Sequence, residues 1–146
     1  MKQFLASIGT TLQLLEAETQ WANRAELLVG MFKEATRKDM SESNSPIVLW
    51  DYCMERRALI YNCTAKQLFQ LNGTNPYTAT LGDQADISNL CQFGWYEWVK
   101  YWDSTQDYPH QRECLGRCLG PALNEGNNMT NWVLAISGNV IPRRTL

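Results

Sequence analysis

The chain has 146 residues, 45% of them apolar, with a formal net charge of −2 and a pI near 5.4. That length can hold one packed core, or a helical half and a strand half that share an interface, which bounds the chain at one to two structural units. The mild negative charge supplies no global field toward nucleic acid, so any such contact has to come from a local basic patch.

No window approaches a membrane-spanning length, and the stretch from Met1 to Ile8 has one Lys and a short apolar run without a small-residue cleavage site. A soluble, intracellular, non-secreted protein is expected, with nucleus and cytoplasm both open. The five cysteines, Cys53, Cys63, Cys91, Cys114 and Cys118, are an odd number without secretory context, and free buried thiols are the expected state. His110, Cys114 and Cys118 could be assembled into a zinc set, but they lack the C-x-x-C pair that makes such sites specific. The sequons at Asn62, Asn72 and Asn128 matter only in a secreted chain.

In chain order, Lys2 to Ile8 reads as the end of a helix stopped by Gly9, and Thr10 to Leu15 as a strand. From Trp21 to about Met40 there is no Pro, and Leu28, Met31, Phe32 and Ala35 recur on one side, which predicts a helix with that side toward the core. At about 100° per residue, Lys33 and Arg37 each fall within roughly 20° of Glu26 on the opposite side. That side presents a carboxylate followed by two cations. Its ordinary reading is a solvated face with pairing at i,i+4, such as Glu34 with Lys38.

Pro46 sits where a helix begins, and Ile47 to Asn62 reads as a second helix packed back on the first, with Leu49, Trp50, Cys53, Leu59 and Ile60 inward. Thr64 to Leu71 could add a helical turn. Asn72-Gly73, Asn75-Pro76 and Gly82-Asp83 then mark turns in a connection. Phe93 to Trp102 reads as a strand, followed by the turn-rich stretch from Asp103 to Pro109. Cys114 to Leu119 reads as a strand stopped by Gly120-Pro121. Met129 to Ile136 alternates, and Ser137-Gly138-Asn139 turns a hairpin into Val140 and Ile141. A small antiparallel sheet or barrel is the natural closure, and the fold class is α+β.

Trp95, Tyr96, Trp98 and Trp102 are expected to fill the core of that barrel. A base-stacking platform competes with this reading, although Lys100 is the one cation among them. The chain has no Gly-rich phosphate loop, nucleophile elbow or zinc-protease helix motif, and its single histidine gives general-base catalysis almost no footing.

Four blocks in order resemble the integrase of copia-type retrotransposon Pol polyproteins. The first is Trp21-Ala22-Asn23-Arg24-Ala25-Glu26, followed by the basic residues Lys33, Arg37 and Lys38. The second is Pro46, Trp50 and Ala58-Leu59-Ile60-Tyr61-Asn62. The third runs from Asn75-Pro76-Tyr77 through Gly82 and Asp86-Ile87-Ser88 to Phe93-Gly94. The fourth is Leu115-Gly116-Arg117-Cys118-Leu119-Gly120-Pro121, then Gly126, Met129, Gly138-Asn139-Val140-Ile141 and Arg143. Around Trp21 the family usually has a Pro before and a Gln after, whereas this chain has Gln20 and Ala22.

The resemblance implies the C-terminal part of an RNase H-like integrase core over residues 1–72, a connecting segment over 73–90, and a small antiparallel β domain over 91–146. It implies DNA strand transfer assisted by Mg2+ or Mn2+, with element ends and target DNA as partners and an oligomer as one assembly. Glu26 matches the family's third catalytic, metal-binding Glu, and Lys33, Arg37 and Lys38 would contact DNA phosphates. The family's two Asp ligands lie upstream of that Glu, and there is no Asp between Met1 and Ala25. Asp39, Asp51, Asp83 and Asp86 follow Glu26 and match no family catalytic position. The chain by itself is therefore expected to be inactive and to hold no metal. A non-catalytic, transposon-derived interaction or DNA-binding module is the alternative reading.

Overall fold

Helix α1 (Arg24–Ser43) opens the part of the chain that the computed structural model describes, which comprises residues 24–67, 71–105, 108–109, 111–125, 129–144 and 146. The helix and strand expected before Gly9 and over Thr10 to Leu15 lie outside it, as do Trp21 to Asn23 and His110. The helix ends at Asn44, which adopts φ 50°, and the Ser45 N–H reaches back to the Met40 carbonyl at 3.1 Å, closing the last turn with a left-handed residue. Pro46 then starts a 3-10 turn (Ile47–Leu49) that leads into α2 (Trp50–Cys63). Reversal through this short connector lays α2 back on α1.

Three kinds of contact hold the helix pair. Met40, Leu49 and Cys53 are buried between the helices. Phe32 and Tyr61 meet edge to face with ring centroids 5.3 Å apart. Asp39 accepts two hydrogen bonds from the Arg57 guanidinium, and its side chain is only 11% exposed.

The inward side of α1 differs from the one that its apolar spacing predicts. Thr36 is buried and Met31 is 53% exposed, so the packed face is turned by roughly 60° about the helix axis toward Phe32, Thr36, Asp39 and Ser43. The cause is polar pairing: Asp39 is held by Arg57, and the Thr36 carbonyl accepts from the Cys53 thiol at 3.9 Å. Trp50, expected inward, is 51% exposed because Leu49 takes the inward position at the junction of the 3-10 turn and α2.

Two short helices occupy the connection. Asn75 caps α3 (Pro76–Leu81), accepting the Thr78 N–H at 2.7 Å with Pro at the first helical position, and Gly82 ends it at φ 79°. Helix α4 (Ser88–Gln92) follows. Asn75-Pro76 is thus a helix start as well as a turn.

The rest is a four-stranded antiparallel meander: β1 (Trp98–Trp102), β2 (Glu113–Pro121), β3 (Asn131–Ala135) and β4 (Val140–Arg143), in that spatial order. Helices and sheet together make the protein α+β. Register places Val99 opposite Gly116, Cys118 opposite Val133, and Val133 opposite Ile141. Val99, Tyr101, Cys118, Val133 and Ala135 form the sheet's core, with Phe93, Cys114, Ile141 and Leu146 packed against it. Strand β2 runs on through Gly120 and Pro121, and the ladder shifts register between Cys118 and Gly120. The hairpin from β3 to β4 turns at Gly138, φ 85°, with its N–H on the Ala135 carbonyl at 2.9 Å.

The strand expected from Phe93 is shorter and begins at Trp98. Tyr96 has φ 58°, and the Glu97 carboxylate accepts the Gly94 N–H at 2.7 Å, so residues 93–97 form a tight turn. Helices and sheet meet at Arg56, whose guanidinium donates to the Phe93 carbonyl at 3.2 Å while its methylenes cover Gly120. Tyr52 meets Trp132 edge to face at 6.0 Å, and the Trp95 indole N–H donates to Ser45 Oγ at 3.2 Å. Among the described residues no helix is long and apolar enough to cross a membrane.

Candidate functional site

Helix α1 carries the residues singled out from sequence. Glu26 stands in its first turn and is exposed, as acidic residues near a helix N-terminus often are. Lys33 is two turns further on, about 10 Å along the axis at 1.5 Å per residue, and Arg37 one turn beyond. Arg37 and Lys38 are 74% and 71% exposed. Each pairs along the helix with a carboxylate that is equally open to water, Arg37 with Glu34 at 2.8 Å and Lys38 with Glu42 at 3.8 Å. Such pairs contribute only about 0–1 kcal/mol and exchange readily for another anion. Lys38 takes Glu42 as its partner rather than Glu34, which Arg37 occupies from one turn away.

Lys33 and Arg37 are brought together with residues that spacing alone does not connect. Both edge a cleft of about 490 Å3 whose other lining residues are Thr36, Met40, Ser41, Asn44, Ser45, Ile47, Trp50 and Met54. The left-handed turn at Asn44 creates it, because the chain reverses there and carries Ile47 and Trp50 past the end of α1. Thr36 is 5% exposed, and its hydroxyl is buried without a hydrogen-bond partner. Glu26 and Lys38 lie outside this cleft.

A second surface lies on the sheet. Strand β1 alternates outward and inward, so Trp98, Lys100 and Trp102 share the open face while Val99 and Tyr101 enter the core. Trp98 and Trp102 are 61% and 50% exposed, which overturns the expectation that these tryptophans fill a barrel. Across the ladder, Arg117 faces Trp98 with its guanidinium 3.6 Å from the ring centroid, and it also covers Tyr96 at 4.7 Å. Leu115, opposite Lys100, is 53% exposed and extends the face. The alternation of residues 98–102 is the signal for this arrangement, once the strand is started at Trp98 rather than Phe93.

The thiols are electrostatically quiet. Burial, with the Asp39 carboxylate nearby, pushes the Cys53 thiol up to about 11, and burial raises Cys63 and Cys118 as well. All five cysteines are free. Among the described residues no three His, Cys, Asp or Glu side chains stand together as a metal-ligand group, at Glu26 or elsewhere. A second cleft, about 320 Å3, lies between α2, the short helices and the segment joining β2 to β3.

Comparison with family models, curated proteins and solved structures finds no match to this chain.

Proposed function

We propose that this chain is the C-terminal part of a copia-type integrase, with α1 and α2 belonging to an RNase H-like core and the four-stranded sheet to the small β region beyond it. Its task in this reading is to hold DNA. The observation that carries the proposal is the exposed side of α1, where Glu26, Lys33 and Arg37 follow one another along a single helix face. The cations behind the carboxylate at the head of that face suit the phosphates of a DNA strand. They would position the duplex without reading its sequence. The exposed ion pairs of Arg37 with Glu34 and of Lys38 with Glu42 are weak enough to be exchanged for phosphate contacts.

Mg2+ or Mn2+ would serve the complete enzyme. Among the described residues no three His, Cys, Asp or Glu side chains form a metal-ligand group, and no metal-dependent step is assigned to them. The test of the catalytic part joins the chain to an upstream domain that supplies the two Asp ligands. Metal-dependent strand transfer is expected there, with loss of transfer in Glu26→Gln. Undiminished transfer in that variant would remove Glu26 from the site.

The open face of the sheet favours the non-catalytic binding module as the second reading. Trp98, Trp102 and the stacked Arg117 present aromatic surface and positive charge there. Binding of DNA by the chain alone, lost in Trp98→Ala but kept in Lys33→Ala/Arg37→Ala, would select this module over the integrase reading.

A further inference from the structure

We propose that the cleft between the end of α1 and the start of α2 binds a small organic anion with an apolar body, in the simplest case an arylalkyl carboxylate. This goes beyond DNA contact, since a duplex phosphate backbone has no apolar group to place in the cleft. The cleft measures about 490 Å3, within the range of about 300–1,000 Å3 typical of small-ligand sites. Its apolar wall comes from three segments: Met40 of α1, Ile47 of the connector, and Trp50 and Met54 of α2. Ile47 and Trp50 are 80% and 51% exposed, so apolar surface is left open to water where a ligand would cover it.

The polar part is of one sign. Lys33 and Arg37 stand at the edge, and among the described residues no Asp or Glu lines the cleft. Arg37 already has Glu34 beside it, whereas no ion pair involves Lys33 among the described residues. Thr36, in the floor, keeps an unpaired hydroxyl. A cationic ligand would be repelled by the rim. Inorganic phosphate would leave the Met and Trp wall uncovered, and a neutral apolar ligand would desolvate Lys33 without compensation. A carboxylate on an aromatic or branched body satisfies both the charge and the wall.

The experiment is a 1H–15N NMR titration of the chain with 4-phenylbutyrate, 4-phenylbutylamine and inorganic phosphate. The carboxylate is expected to shift the amides of Thr36, Ser41, Ser45 and Trp50 saturably, with the amine and phosphate leaving them in place. Trp50→Ala, at an exposed position, should weaken the carboxylate roughly tenfold, and Lys33→Glu should abolish the preference for the acid over the amine. Equal shifts from the amine, shifts confined to other surfaces, or an unaltered affinity in both variants would overturn the site. Phenylbutyrate binding with no DNA binding would refute the DNA reading alone, and the reverse result would refute the anion site alone.

Discussion

Gly116 provides the sharpest test of the sheet's packing. A Cβ at this position would stand 2.6 Å from Val133 Cγ1, 2.9 Å from the Leu134 carbonyl oxygen and 3.2 Å from Tyr101 Cε1. Val133 is completely buried and Tyr101 is 5% exposed, so neither side chain has a free direction in which to retreat, and the carbonyl belongs to the neighbouring strand. Gly116→Ala reduces the freedom of the unfolded chain, which by itself would stabilise by about 0.4–1 kcal/mol. Forcing a methyl into a filled core costs about 1–3 kcal/mol, and contact with backbone places this site at the upper end. The net expectation is a loss of about 2 kcal/mol. Urea denaturation followed by far-UV circular dichroism would measure it, with the midpoint falling and the slope unchanged. Adding Val133→Ala relieves the shortest contact, so the double variant should be less destabilised than the two single effects together. A Gly116→Ala protein within about 0.5 kcal/mol of the parent, or strict additivity in the double variant, would refute the close packing of β2 on β3.

Three further outcomes are expected. Replacing Lys33 and Arg37 with Ala removes two phosphate contacts, which should lower the salt slope of duplex DNA binding by about 2 and the loss of affinity between about 50 and 200 mM salt by roughly tenfold; an unchanged slope in fluorescence anisotropy would exclude the α1 face. Arg57→Met leaves the Asp39 carboxylate with 11% exposure and no partner, and because Arg57 itself is partly solvated the expected loss is about 2 kcal/mol in chemical denaturation, less than for a fully buried pair; a loss under about 0.5 kcal/mol would remove this bridge from the helix interface. Cys53 ionises near its usual 9.0 when unfolded and at about 11 when folded, so the unfolded state releases its proton first. Its contribution is complete below pH 9 and declines as the pH rises toward 11, by about 2 kcal/mol, a decline that Cys53→Ala should abolish in pH-dependent melting.

Element types were legible wherever one local rule dominated. The helices over α1 and α2, the turns at Asn72-Gly73 and Gly82, and the hairpin at Gly138 follow from periodicity and from residues that tolerate positive φ. The short helices α3 and α4 were not legible, because segments of 6 and 5 residues carry too little periodicity to stand out from a turn-rich connection. Asn75-Pro76 held the missing signal as a cap followed by proline. Burial was read less well than element type. Met31 and Trp50 were expected inside because they are apolar, yet Asp39 and Thr36 take the inward side of α1 through partners on α2, 17 or 18 residues away in sequence. Of the candidate site, the common side of Glu26, Lys33 and Arg37 follows from helical geometry. The cleft beside Lys33 and Arg37 does not, since it depends on where the connector sends Ile47, Trp50 and Met54.

By itself the sequence determined that the chain is α+β, that Glu26 leads a helix face bearing Lys33 and Arg37, and that the C-terminal part forms an antiparallel sheet, because these follow from spacing within single segments. Tertiary structure alone decided which side of each segment faces inward. A helix or strand offers several sides to a partner, and the choice belongs to whichever distant groups complete the pairing: Arg57 for Asp39, Arg56 over Gly120, and Val133 against Gly116. That choice turned Trp98 and Trp102 outward, Trp98 beneath Arg117, and opened the cleft at the end of α1.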